Sequence, residues 1–189
     1  LEAFRDLEIE AARAYDAHEF HSVYQKISQF VAVELSAVYH DVVKDRLYTD
    51  PAGSPRRRST QTALYRLATG LCRMLSPILV FTADEAWEHL PGARGEDSVH
   101  LADWDPEGWS RPEAEQAAWR KLFEIRSAAL AELEKARQAK AIGKSLEARL
   151  ALRCSPEEQA AIAPRQEELR ELLNVSQLEI EAAADGVRS

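Results

Sequence analysis

With 189 residues, 46% of them hydrophobic and 30% charged, the chain has the composition of a soluble globular protein and room for one sizeable helical domain with a small appendage. No apolar run approaches the roughly 20 residues of a membrane span, and the first residues carry neither the basic nor the apolar segment of an export signal. A net charge of −8 excludes a uniformly basic nucleic-acid binder, yet the charge is segregated along the chain. Residues 41–73 carry seven Lys/Arg against three acids and residues 120–149 carry eight against four, a local excess of +8, while the remainder sums to −16. A basic footprint on an acidic body suits a protein that neutralises phosphates on one face and repels them elsewhere. Helical surfaces also cluster charge without any ligand, so this pattern alone decides nothing.

Leu1 falls inside an amphipathic pattern, and the chain therefore reads as a piece of a longer one. Phe4, Leu7, Ala11 and Ala14 repeat at helical spacing, and after a break near Asp16 the stripe resumes through Phe20, Val23, Tyr24, Ile27 and Val31, then Leu35, Val38 and Val42. The turn formers Asp50-Pro-Ala-Gly-Ser-Pro55 end it. Ser59 or Thr60 is the expected cap of the next helix, which buries Leu64, Leu67, Leu71 and Leu75 and is interrupted by Pro77. Thr82 with Glu85 forms an expected capping box for a short helix ending at Leu90-Pro-Gly92. Residues 93–109 read as a connecting loop around the apolar patch Val99-His-Leu-Ala-Asp-Trp104. Ser110 with Glu113 suggests a second capping box, opening a helix of roughly seven turns that Gly143 stops. Leu146, Leu150 and Leu152 alternate with charged residues as a half-buried strand does. Ser155-Pro-Glu-Glu158 opens a helical stretch divided by Pro164, and Val175 to Ile180 closes the chain as a strand. The expected divisions are 1–92, helical bundle; 93–109, loop; 110–142, long helix packing on the bundle; and 143–189, a small βαβ-like junction unit.

Most chemical signatures fail on context. Gly143-Lys-Ser145 resembles the end of a phosphate loop, but Gln138 stands where its first glycine belongs and a strand follows where a helix is needed. His18 and His21 at i, i+3 have no third ligand nearby. Cys72 and Cys154 are far apart and lack partners at metal-ligand spacing, so both read as reduced, cytosolic thiols, with a Cys72–Cys154 disulfide disfavoured. No nucleophile sits beside a base, so no catalytic, cofactor-binding or metal residues are assigned. Asp84 and Glu85 are read as acids at the favourable end of a helix dipole, and Trp87 as a packing anchor. Arg56-Arg-Arg58, just before the expected helix, is the sharpest candidate. Three contiguous guanidiniums repel one another unless they face an anion or solvent, and the helix amides point into the same space. Lys44 and Arg46 add charge at the neighbouring corner, and Tyr48 and Tyr65 supply rings on which unpaired bases can stack, or else belong to the core.

In order, Asp41-Val-Val-Lys-Asp-Arg-Leu-Tyr-Thr49, Arg56-Arg-Arg-Ser-Thr-Gln-Thr-Ala-Leu-Tyr65, Pro77-Ile-Leu-Val-Phe-Thr-Ala-Asp-Glu-Ala-Trp87 and Lys144-Ser-Leu-Glu-Ala148 closely resemble the anticodon-binding region of bacterial-type isoleucyl-tRNA synthetases, from about Tyr39 to Ile180. The resemblance implies a mainly α fold: a class I synthetase anticodon-binding helical bundle with a small C-terminal α/β junction unit. It implies a module that grips the anticodon stem-loop of tRNA(Ile), through Lys44, Arg46, Tyr48, Arg56, Arg57, Arg58 and Tyr65. The acceptor end then reaches the catalytic domain of the same parent chain, which also carries an editing domain, uses ATP and Mg, and is cytoplasmic. The family's His-Ile-Gly-His-like and Lys-Met-Ser-Lys-Ser-like signatures are absent here, as is the four-cysteine zinc motif of many bacterial members, so no aminoacylation and no cofactor are expected of this chain alone. The segment Pro77 to Trp87 also suits valyl or leucyl enzymes. A valyl-type module and a helical protein-interaction scaffold that ignores RNA remain the alternatives.

Overall fold

The computed structural model describes residues 1–91, 95–106 and 108–182. Gly92, the expected end of the short helix, Ala93 at the start of the connecting loop and the end of the junction unit beyond Ala182 lie outside them. The chain divides into two compact units, Leu1–Ser110 and Arg111–Ser189.

In the first unit the apolar stripes become α1 (Glu2–Asp16) and α2 (Phe20–Gln29), joined at the expected break by a turn in which His18 takes φ 60°. His18 therefore stands outside both helices and shares no helical face with His21. From α2 the chain continues as a π-helix over Phe30–His40 and then α3 (Asp41–Tyr48). The wider winding keeps Leu35 buried and leaves Val31 and Val33 exposed; beyond it Val43, rather than Val42, turns fully inward.

The next helix, α4, runs Pro55–Leu75 and starts earlier than expected. Ser54 is its cap, the Oγ accepting from Arg57 N at 3.4 Å, and Pro55 fills the first helical position, where its missing N–H costs nothing. Ser59 and Thr60 are thus one turn inside. After the break at Pro77, α5 (Val80–Glu88) also starts ahead of the expected Thr82 box, with Leu79 at its cap and no side-chain cap bond.

Phe4, Leu7, Ala11 and Ala14 of α1 pack with Val23, Ile27, Leu35, Leu67 and Met74 as one core. The helices approach closely at Gly70, where an added Cβ would lie 2.5 Å from Cε1 of the buried Phe4 ring, so α4 can come this near α1 only at a residue without a side chain. Tyr15 Oη donates to the Met74 carbonyl at 2.9 Å, and burial pushes its pKa up. A second cluster gathers Cys72, Ala83, Trp87 and Val99. Here Asp84 has a specific structural role: it accepts from Ser98 Oγ at 2.7 Å and Val99 N at 3.0 Å, and these bonds, Ser98 foremost, hold its carboxyl below the usual range. Trp104, from the expected apolar patch, donates Nε1 to the buried Glu8 at 3.3 Å and meets Tyr15 edge-on.

In the second unit the long helix α6 (Glu113–Gln138) begins after Pro112, without the side-chain bond expected of Ser110. It falls with the C-terminal elements rather than in a division of its own, because Leu122, Ala129 and Leu133 are buried and Arg126 Nε donates to the Leu172 carbonyl at 3.1 Å. Ser145–Glu147 forms one 3-10 turn, so the strand expected from Leu146 starts later, as β1 (Arg149–Cys154). The Ser155–Glu158 capping box opens α7 (Pro156–Ile162). A 3-10 turn at Pro164 separates it from α8 (Gln166–Leu173), and Asn174, at φ 53°, ends that helix ahead of β2 (Gln177–Ala182). The strands pair in parallel, Leu152 opposite Ile180, as a βαβ unit requires. Cys72 and Cys154 are both free, buried thiols, each with its pKa raised by burial.

Candidate nucleic-acid interface

The first basic stretch occupies α3, the turn after it and the opening of α4. In α3, Lys44 Nζ pairs with Asp41 at 2.8 Å, and this bond raises its pKa. Arg46 is partly buried, and its charge acts on Tyr39 and Asp50. Tyr48 is 84% exposed at the end of α3, in the open and not in the core.

Because α4 starts at Pro55, the three arginines lie within its first turn and diverge instead of presenting one cationic front. Arg56 turns back on Asp50 through a two-point bond, Nε to Oδ2 at 3.0 Å and Nη2 to Oδ1 at 2.8 Å. Arg57, half-buried, donates Nη1 to the Asp50 carbonyl at 2.8 Å. Two helix amides in this turn are taken as well: Arg57 N by Ser54 Oγ, and Arg58 N by the Ser54 carbonyl. Arg58 alone of the triplet points away from the turn. It is exposed, and among the described residues its guanidinium has no hydrogen-bond or ion-pair partner. Arg58, Gln61, Thr62 and Tyr65 follow at i, i+3, i+4 and i+7 and so share one face of α4.

Asp50 locks the turn. The Arg56 bond first, then Ser54 and the charges of Arg56 and Arg46, hold its carboxyl below the usual range against a counteracting desolvation. A depressed folded pKa means that the contribution is present above the ordinary carboxylate range and lost as pH falls through the depressed value. Asp50→Asn is therefore expected to unfold at lower temperature than the native chain at neutral pH, the two melting curves converging in acid. Curves that stay parallel at all pH values would contradict the coupling.

The second basic stretch is largely consumed within its own unit. Arg120 pairs with Glu113, Lys121 with Glu124 and Glu158, Lys135 with Glu132, Arg137 with Glu134, and Arg149 with Glu179. The backbone of the Gly143-Lys-Ser145 joint is not a phosphate cradle, because the Gly143 and Lys144 amides donate to the Glu147 carboxylate at 2.8 and 3.2 Å. Those bonds lower the pKa of Glu147. The described residues hold no group of three or more metal-ligating side chains.

The profile of the family described as "Anticodon-binding domain of tRNA ligase" matches residues 1–152, most of the chain. The chain belongs to that family. Isoleucine--tRNA ligases are similar to this anticodon-binding domain over nearly its whole length. That of Halorhodospira halophila is 43% identical over 96% of the chain, and those of Natranaerobius thermophilus and Cronobacter sakazakii are 41% identical over 92% and 94%. The chain spans only 19–20% of the length of these relatives. The resemblance carried by Lys44 to Thr49 and Arg57 to Tyr65 was thus to the same ligases, and the mainly α fold is the one expected of the anticodon-binding domain. Among the described residues no helix is long and apolar enough to cross a membrane.

Sequence reading had not singled out Gln61, Thr62 or Asp50 in this domain. The helical spacing from Arg58 to Tyr65 was available for the first two, but the expected cap at Ser59 or Thr60 placed the helix start inside it. For Asp50 the only signal was an acid in a turn preceding Arg56.

Proposed function

We propose that this chain is the part of an isoleucine–tRNA ligase that grips the anticodon stem-loop of tRNA(Ile). Arg58 makes the principal phosphate contact, Tyr48 and Tyr65 stack on unpaired bases, and Lys44 and Arg46 contribute field. The observation that carries this is Arg58 itself: an exposed guanidinium with no partner among the described residues, at the start of α4, in a domain of the anticodon-binding family. Arg56 and Arg57 support it indirectly, by fixing the turn from which α4 springs. The names of the relatives favour an isoleucyl over a valyl parent.

Attachment of isoleucine, with the ATP and Mg it uses, is then the work of the parent's catalytic domain, and the cytoplasm is where it takes place. Ile78, Leu79, Val80 and Phe81, the last 88% exposed, form an apolar run suited to packing against the parent's catalytic or editing domain.

Titration of the chain with tRNA(Ile) over a range of salt tests the reading. Each neutralised phosphate is expected to contribute roughly −0.7 to −0.9 to the slope of log K against log salt. A flat slope would mean that the partner is not held through phosphates, as for a protein scaffold.

A further inference from the structure

The second unit spends nearly all of its positive charge on itself. Every described lysine and arginine in it but two is engaged, Arg126 by the Leu172 carbonyl and the others by carboxylates. The two are Lys140 and Lys144, both exposed, whose ammonium groups have no hydrogen-bond or ion-pair partner among the described residues; Lys144 only lends its field to Glu147. They stand four residues apart on the joint that follows α6. Lys140 also holds an uncommon backbone. Its N–H donates to the Arg137 carbonyl at 2.9 Å and that of Ala141 to the Ala136 carbonyl at 2.9 Å, which closes the helix with Lys140 in the left-handed region, φ 56°. Glycine or asparagine ordinarily fills that position, because a larger side chain there crowds the backbone. His18 and Asn174, the other described non-glycine residues with positive φ, are of types that tolerate it; lysine is not. A lysine near a helix C-terminus gains from the dipole, but Lys135 and Arg137 already have that gain within the last turn. The position thus keeps a strained residue whose charge its own unit does not use.

Resting on the reading above, we propose that Lys140 and Lys144 form a second phosphate-contact point, through which the second unit holds the backbone of the bound RNA's anticodon arm. The joint that carries them is fixed from within. Glu147 takes the Gly143 and Lys144 amides, and Arg137 Nη2 donates to Ser145 Oγ at 3.2 Å. The same bonds decide the kind of anion. With those amides already taken, no enclosed site remains for a small phosphate ester, whereas two open lysines on a rigid joint suit successive phosphates of a polyanion. Such contacts fix position and register without reading sequence.

The test uses the 189-residue chain and tRNA(Ile), titrated over a range of salt. Lys140→Gly separates charge from folding, because glycine relieves the left-handed backbone while removing the ammonium: the melting temperature should hold or rise while binding weakens. Combined with Lys144→Gln it is expected to weaken binding about tenfold at physiological salt and to make the slope of log K against log salt less negative by about 1.4–1.8, the share of two phosphates. Lys144→Arg, which keeps the charge, should leave the slope as it is. The contact is overturned if the double variant binds with native affinity, if its affinity falls with the slope unchanged, or if Arg120→Gln, whose charge is already paired, loses as much. Any of these with binding still lost in Arg58→Glu removes the second contact and leaves the anticodon-arm reading standing. No saturable binding of tRNA(Ile) by the native chain removes both.

Discussion

Replacing Trp87 by alanine is expected to destabilise the chain by about 3–5 kcal/mol, the range for truncating a buried tryptophan. The side chain is 0% exposed and fills the space among Cys72, Ala83 and Val99, with Leu90 and Ala102 packed around it. It is also tied at its polar end, Nε1 donating to the Glu96 carbonyl at 2.9 Å, while the Arg73 guanidinium lies 5.3 Å from the ring centre. Alanine would leave a cavity and a carbonyl without its donor, two penalties that add. Trp87→Phe should recover part of the packing but not the hydrogen bond, and so fall between the two. Denaturant unfolding reads both. A loss below about 1 kcal/mol for Trp87→Ala would show that this cluster is not a cohesive part of the fold.

Reversing the charge of Arg58 is expected to weaken binding of tRNA(Ile) by at least tenfold, about 1.4 kcal/mol. The melting temperature should barely move, since no ion pair is broken within the described residues. Arg56→Glu is a different experiment. It sets a carboxylate against Asp50 in place of the two-point bond, so it should disturb the turn and lower stability along with affinity. Under the proposed function the triplet is expected to separate into one contact residue and two supports. Arg120→Glu, in the other unit, is the control for diffuse charge. Equal losses from Arg58→Glu and Arg120→Glu in a filter-binding or fluorescence titration would show that RNA senses only net charge.

How much of this was legible beforehand follows from the range of the interactions involved. The stripe Phe4, Leu7, Ala11, Ala14 and its continuation through Val23 and Ile27 gave α1, α2 and their break, because burial of a helical face is written in its periodicity. Pro77 and Pro164 marked real interruptions, and the parallel βαβ unit followed from alternation and turn residues. Helix starts were less legible. Several residues at each place can cap a helix, and Ser54-Pro55 prevails over Ser59 because proline at the first position adds to the serine cap. That shift of five residues changed the site, turning a cationic front into a divergent first turn. The basic stretches were visible from the sequence, but which cations are already spent was not. Bonds such as Arg56–Asp50 and Arg149–Glu179 depend on a turn's path and a strand's register, neither of which composition encodes.

The most direct measurement is a nuclease or hydroxyl-radical footprint of the 189-residue chain on intact tRNA(Ile). Protection confined to the anticodon stem and loop, and lost with Arg58→Glu, is the predicted result. Protection of the acceptor arm, or protection of the anticodon arm that survives the charge reversal, would contradict the account.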